Sequence, residues 1–221
     1  ENVLWSSKNN GWGASTPVVW GDRLFMTSQI GSGPVHYGYK PGEINQNEGQ
    51  EVVFLVQCLS VRDGSPVWEK RIPAEGELHA VHSMHNLASL SCVTDGKHVV
   101  AWFATGQIVC YDMSGALIWK RHLGKEISPF EIKWAHGSSP YLHDGKLYLL
   151  CDHTPAAYLL AVDITTGKTI WKADRGTEGR TYTTPIVVDA GARKELIINA
   201  QNTIDAYDPA TGKLLWRADE Y

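Results

Sequence analysis

The chain has 221 residues, 43% of them apolar and 20% charged, with a formal net charge of -4, the balance of a globular protein with enough apolar material for a sizeable core. That charge gives no polycationic footprint for nucleic acid, and no apolar run reaches the ~18 residues that would span a bilayer. Cys58, Cys92, Cys110 and Cys151 are isolated, lack C-x-x-C spacing, and are expected as buried free thiols. The sequence opens at Glu1 without an initiator Met or signal peptide, so the natural start is expected upstream.

In chain order, Val3-Leu4-Trp5 reads as a short strand ending in Trp. Ser15-Thr16-Pro17-Val18-Val19 then opens a unit as its innermost strand, followed by a turn at Gly21-Asp22, a second strand Arg23–Ser28, a third Val52–Ser60 and a turn at Asp63-Gly64 before Trp68. Between the second and third strands lies an insertion, 30–51, rich in Gly, Pro, Asn, Gln and Glu. A long loop of this kind is either functional, with His36, Tyr37 and Tyr39 placed to cover a channel mouth, or a mobile ornament. The second unit opens at Ala88-Ser89-Leu90-Ser91-Cys92 and ends at Trp119 after the shorter turn Asp112-Met113-Ser114-Gly115. The third opens at Ser138-Ser139-Pro140-Tyr141-Leu142 and ends at Trp171. The fourth opens at Thr183-Thr184-Pro185-Ile186-Val187 and ends at Trp216.

The last two units carry one motif written twice. Ala161 to Trp171 and Ala206 to Trp216 share Ala, Asp, Thr, Gly, Lys and Trp at the same offsets, and such repetition marks a propeller, solenoid or array. Gly167 and Gly212 supply the positive φ of a tight hairpin, Asp163 and Asp208 can bond the amides of their own turns, and each Trp offers a large apolar face for docking against the next sheet. Trp5, Trp68 and Trp119 are expected to dock likewise. Four strands per unit make an all-β fold, a β-propeller of four-stranded antiparallel blades over about 12–71, 85–122, 136–174 and 182–217. Val3–Trp5 reads as the last strand of a further blade, so six to eight blades are expected in the whole, with a self-contained four-bladed ring as the alternative. Exposed blade edges would favour self-association.

Small-residue strand, Asp-Gly turn and A-x-D-x-x-T-G-K-x-x-W hairpin together resemble the pyrroloquinoline-quinone-type (quinoprotein-like) propeller repeat over nearly the whole chain. The resemblance implies a periplasmic or otherwise extracytoplasmic protein. It covers quinone-dependent alcohol and sugar dehydrogenases and also non-catalytic propeller lipoproteins of outer-membrane barrel assembly. The dehydrogenases pair their quinone with adjacent cysteines and hold Ca²⁺ with an acid-amide set, and neither pattern can be matched here. No nucleophile elbow, Walker loop, H-E-x-x-H or dinucleotide fingerprint occurs either. The expected function is therefore a non-catalytic scaffold for a protein or polymer partner, without a cofactor. The alternatives are a dehydrogenase using pyrroloquinoline quinone and calcium, and a carbohydrate-binding propeller using Trp12 and Trp134.

Strand direction fixes which loops share a face. The lead-in to each innermost strand and the loop after each second strand should lie together on one face, here called the top. That groups Trp12, His85 with Asn86, Trp134 with His136, and Arg180 with Tyr182 from the lead-ins. From the loops it adds Gln29, Thr105, Asp152 with His153, and Gln201 with Asn202. Arg180 and the imidazoles could converge on an anionic or polar ligand. His79, His82 and His85 suggest a metal by their spacing, but strand alternation puts the first two on opposite faces, and no metal site is expected.

Overall fold

The computed structural model describes residues 2–31, 36–37, 51–76, 78, 81–82, 85–131, 135–176 and 181–219. Four sheets follow one another along the chain, each a four-stranded antiparallel meander. Blade 1 comprises Val18–Trp20, Arg23–Ile30, Val53–Ser60 and Pro66–Pro73. Blade 2 comprises Val93–Thr94, His98–Trp102, Gln107–Asp112 and Leu117–His122. Blade 3 comprises Tyr141–His143, Lys146–Cys151, Ala157–Asp163 and Thr169–Gly176. Blade 4 comprises Ile186–Asp189, Lys194–Asn199, Thr203–Tyr207 and Leu214–Asp219. A single helical turn, Leu123–Glu126, follows blade 2.

The outer hairpin of every blade has the same construction. A register shift sits just inside the turn, at Cys58/Leu59, Leu117/Trp119, Ala161/Val162 and Ala206/Tyr207, and it sets each Trp opposite a small residue: Cys58, Cys110, Ala161 or Ala206. At the turn, Asp163 Oδ1 accepts from the Thr166 amide at 2.8 Å, and Asp208 Oδ1 accepts from the Ala210 amide at 2.7 Å. Gly167 and Gly212 hold φ of 70° and 74°. Both also receive the Trp of the blade before. A Cβ at Gly167 would lie 2.6 Å from Trp119 Cδ2, and one at Gly212 2.5 Å from Trp171 Cε3, so glycine is required for the approach as well as for the turn.

The indole N–H completes each dock by donating to a carbonyl of the receiving turn. Trp5 reaches Val61 O at 2.7 Å, Trp68 reaches Met113 O at 3.1 Å, Trp119 reaches Ile164 O at 2.7 Å and Trp171 reaches Pro209 O at 3.2 Å. Trp216 departs from this pattern. The residue is 39% exposed, its indole N–H donates to Glu195 Oε2 of its own blade, and no glycine turn lies against it among the described residues. Val3–Trp5 also differs from expectation. Trp5 docks on the Gly64 turn, but residues 2–9 form no strand, because no described neighbour supplies a ladder for their backbone.

At the inner ends, the small residues precede the strands rather than forming them. In blade 2 the expected strand at 88–92 is turn and coil, and pairing starts at Val93. These residues instead tie one blade to the next through hydroxyls. The Thr16 amide donates to Ser91 Oγ at 2.9 Å, the Ser91 amide to Ser139 Oγ at 3.0 Å, and the Ser139 amide to Thr184 Oγ1 at 3.1 Å. Backbone committed to these rungs cannot also serve a strand ladder. The apolar core fills the seams between blades, with Phe54 stacked on Phe103 at 4.3 Å across the first and with Trp102 and Tyr158 buried in the second. All four cysteines are buried free thiols, and burial raises the Cys92 and Cys110 pKa to about 12.

Removing a docked indole takes away a large buried surface, so Trp171→Ala is expected to cost about 3 to 5 kcal/mol of folding stability. Gly167→Val should destabilise through both its φ and the overlap with Trp119. Trp216→Ala should cost less than about 1 kcal/mol, as its ring is already partly in water. Urea melts of the three variants compare these losses directly, and a Trp171→Ala loss no larger than that of Trp216→Ala would overturn the docking argument.

Candidate functional site

Within each blade the lead-in segment and the loop after the second strand do meet. Trp12 and Gln29 exchange backbone hydrogen bonds at 2.9 and 2.8 Å, the Ala104 amide donates to Leu87 O at 2.8 Å, and Thr183 Oγ1 donates to Asn199 O at 2.7 Å. In blade 3 the rings of His136 and His153 lie 6.3 Å apart. Successive lead-ins also touch one another. Asn86 Nδ2 donates to Trp12 O at 2.8 Å, the imidazole of His136 lies within electrostatic reach of His85, and a Cβ on Gly137 would meet the Tyr182 ring at 3.4 Å. Trp12, His85, His136 and Tyr182 therefore share one face. Trp134, Arg180, His79 and most of the insertion 30–51 lie outside the described residues. Within that insertion, backbone 36–37 pairs in parallel with 81–82, where blade 1 hands over to blade 2.

Sharing a face does not give every residue access to a ligand. Asp152 is fully buried and held by Arg175, whose Nε and Nη2 donate to its two carboxylate oxygens at 2.7 and 3.0 Å. Arg175 Nη1 continues to Asp205 Oδ2 at 2.8 Å and to the Tyr207 hydroxyl at 2.6 Å, and Arg217 donates twice to Asp205. Asp152 is thus no open-pocket residue but one end of a buried network joining blade 3 to blade 4. Its expected place in a binding surface is corrected by this pairing, for a buried carboxylate keeps its charge only when it is paired and hydrogen-bonded. Burial opposes ionisation of Asp205, yet the guanidinium groups of Arg217 and Arg175 outweigh it and hold that carboxyl below its usual range.

His136 is likewise fully buried. It lies 4.4 Å from Trp102 and 5.1 Å from Phe130, ring to ring, while His153 lies 4.1 Å from Phe130 and 5.7 Å from Tyr158. Among the described residues, no hydrogen bond of good geometry is made by either nitrogen of His136, or by His153 Nε2, Tyr158 Oη and Trp102 Nε1. His153 Nδ1 faces Thr154 O at 3.2 Å, which assigns its proton to that nitrogen. Burial drives the pKa of His136 well below its ordinary value and that of His153 to about 4. Both rings are neutral at pH 7. Among the described residues, no group of three or more His, Cys, Asp or Glu is arranged to hold a metal ion. More exposed residues complete the face: Trp12, half-buried with its N–H on Gly31 O at 3.1 Å, and the half-buried His85 and Tyr182.

Two predictions follow from these buried groups. An imidazole kept neutral in the fold but free to protonate when unfolded costs stability as pH falls below about 6.5. For His153 the cost reaches about 2 kcal/mol at pH 5. The depressed Asp205 carboxyl acts in the same direction further into acid, its contribution being lost as pH falls through its folded pKa. Urea midpoints should therefore drop between pH 7.5 and 5, and H153Q should flatten that dependence; an unchanged slope in H153Q would contradict the buried neutral ring. Separately, Arg175→Ala strands two buried carboxylates and is expected to cost about 3 to 5 kcal/mol, measured by the same melts at pH 7.5.

The sequence model of the family described as outer membrane protein assembly factor BamB matches residues 54–220. Among solved structures, BamB from Moraxella catarrhalis aligns over 99% of this chain and 56% of its own length, with a TM-score of 0.62 and 18% identity. A europium-containing methanol dehydrogenase aligns over 95% of this chain and 42% of its own, at TM-score 0.63 and 14% identity. The quinohemoprotein alcohol dehydrogenase from Comamonas testosteroni aligns over 93% and 34%, at 0.61 and 13%. No match is found among curated protein sequences. At these identities the likeness establishes the fold alone, and the chain spans roughly half or less of the length of each of these structures. With the family model matched from the outer hairpin of blade 1 through blade 4 and the repeated Trp-on-glycine hairpins in place, the chain belongs to the BamB family of pyrroloquinoline-quinone-type β-propeller repeats.

Proposed function

We propose that this chain is a non-catalytic, extracytoplasmic propeller scaffold that holds a protein or polymer partner on the face built from its lead-in segments. The observation that carries the reading is the unbroken succession of lead-ins on that face, from Trp12 through Asn86 and His85 to His136, Gly137 and Tyr182. A surface made by several blades at once suits a broad partner, whereas the groups a small ligand would need, Asp152 and His136, are enclosed. The description of the matched family, an outer membrane assembly factor, supports an extracytoplasmic role. No helix among the described residues is long and apolar enough to cross a membrane.

The dehydrogenase reading gains no support from the residues present. Its adjacent cysteine pair has no counterpart, since Cys58, Cys92, Cys110 and Cys151 are free, buried and far apart in sequence. A photo-crosslinking residue at Tyr182, in the natural full-length protein in cells, is expected to capture a defined partner. One at Lys168, on the opposite face, should not. Equal capture at both positions would refute the assigned face. Reconstitution with pyrroloquinoline quinone and calcium is expected to give no dye-linked oxidation of alcohols or sugars, and substrate-dependent turnover would refute the non-catalytic reading. Glycan-array binding lost in Trp12→Ala would transfer the assignment to a carbohydrate-binding propeller.

A further inference from the structure

On the outer rim, the outermost strands of blades 1 and 2 flank a groove of about 470 Å³. Its apolar lining comes from Ile72 on one side and from Val109, Tyr111 and Leu117 on the other. The volume falls within the range of ligand pockets, about 300 to 1,000 Å³. Charge on the rim is unbalanced. The carboxylate of Glu126 is taken by Arg121, through Nε at 2.9 Å and Nη2 at 2.7 Å, and that of Glu75 by Lys125. Lys120 is left with no hydrogen bond to any described residue, and Arg71 uses only its Nε, on Glu69, with 62% of its side chain exposed. Lys120 and the two Nη groups of Arg71 thus overlook the apolar floor with no hydrogen bond to a carboxylate among the described residues, although Arg71 Nε is held by Glu69.

The wall of the groove is also an open sheet edge. Among the described residues Leu117–His122, the last strand of blade 2, has only Gln107–Asp112 as a ladder partner, so its outer side is a free sheet edge except at the His122 amide, which donates to Glu126 Oε1 at 3.1 Å. Leu117 and Ile118, 53% and 41% exposed, lie on that strand. An extended chain laid along the edge would gain a ladder of backbone bonds. Its alternating side chains would fall over the groove.

We propose that this rim groove is a docking site for an extended peptide segment in which acidic residues alternate with apolar ones. The peptide adds a strand to the free edge of Leu117–His122, an apolar side chain enters the groove over Tyr111, and a carboxylate meets Lys120 and Arg71. None of Trp12, His85, His136 and Tyr182 lines this groove, and the proposal does not depend on the function proposed for their face.

The probe is a fluorescein-labelled hexapeptide of alternating Glu and Val, titrated against the 221-residue chain by fluorescence polarisation. Saturable binding is expected at about 10 to 100 µM, the weak regime of a short peptide that must be ordered on binding. K120E should weaken it about 10-fold or more, and Leu117→Asp should remove it. Y182A, on the other face, should bind as the parent chain does. N-methylation of alternate peptide amides should abolish binding, because it blocks the ladder while leaving charge intact. Lys120 is exposed, so K120E is expected to keep the parental urea midpoint, and R71E repeats the measurement should it not. No binding up to about 1 mM, binding insensitive to both K120E and R71E, or equal binding of the N-methylated peptide would each overturn the proposal.

Discussion

The seating of one blade's tryptophan on the next blade's glycine turn is the contact on which the architecture depends. A four-stranded meander leaves two apolar faces bare and cannot be stable alone. The outer hairpin supplies both halves of the remedy. Its glycine receives an indole from the blade before, and its tryptophan is delivered to the blade after, as the series Trp5–Gly64, Trp68–Gly115, Trp119–Gly167 and Trp171–Gly212 shows. Because the indole N–H also bonds a turn carbonyl, the dock fixes direction as well as distance. At the inner end the hydroxyl rungs from Thr16 to Thr184 tie the same neighbours a second time. Two ties at opposite ends of a blade leave little freedom of tilt, which brings the lead-in segments into one continuous face.

How much of this could be read from the residues depends on how locally each feature is encoded. The hairpin, its Asp-bonded turn and its Trp all lie within eleven residues, and the two near-identical copies made the unit plain. Even the one-residue-shorter turn before Trp119 has its structural counterpart, since Trp68 bonds the second residue before its glycine rather than the third. Strand direction then followed from counting, and with it the grouping of Trp12, His85, His136 and Tyr182. What escaped detection was set by distance in sequence. Nothing near Asp152 announces that Arg175 will cover it, or that Asp205, in the next blade, will share the same guanidinium. The signal in hindsight is Arg175 itself, a lone cation at the end of an outermost strand facing a seam.

The displaced inner strands and the missing strand at Val3–Trp5 have a different origin. Sequence pattern reports which residues tolerate an extended conformation, whereas a ladder exists only where a partner offers its backbone. Ser91 and its equivalents are extended-compatible, but their amides are already bound to a neighbouring blade's hydroxyls. Val3 and Leu4 are extended-compatible too, and 75% and 84% exposed, with no strand among the described residues paired to them.

Repeated and unrepeated features therefore carry different information. The Trp docks, Asp turns and hydroxyl rungs recur from blade to blade, so they are requirements of the scaffold and are shared by propellers whose activities differ. Specific behaviour must come from what the repeats do not contain. Among the described residues those features include the Asp152–Arg175–Asp205 network in the last seam, the two buried imidazoles His136 and His153 in the seam before it, the 36–37 strand that pairs where blade 1 hands over to blade 2, and the cationic groove between the outermost strands of those blades. All four lie where two blades meet rather than inside a sheet. Inside a sheet every backbone group and apolar face is already committed, so a new side chain is accommodated only at a cost in packing. At a seam, two surfaces from distant parts of the sequence meet with fewer obligations, and a charge or an imidazole introduced by one can be answered, or left open, by the other.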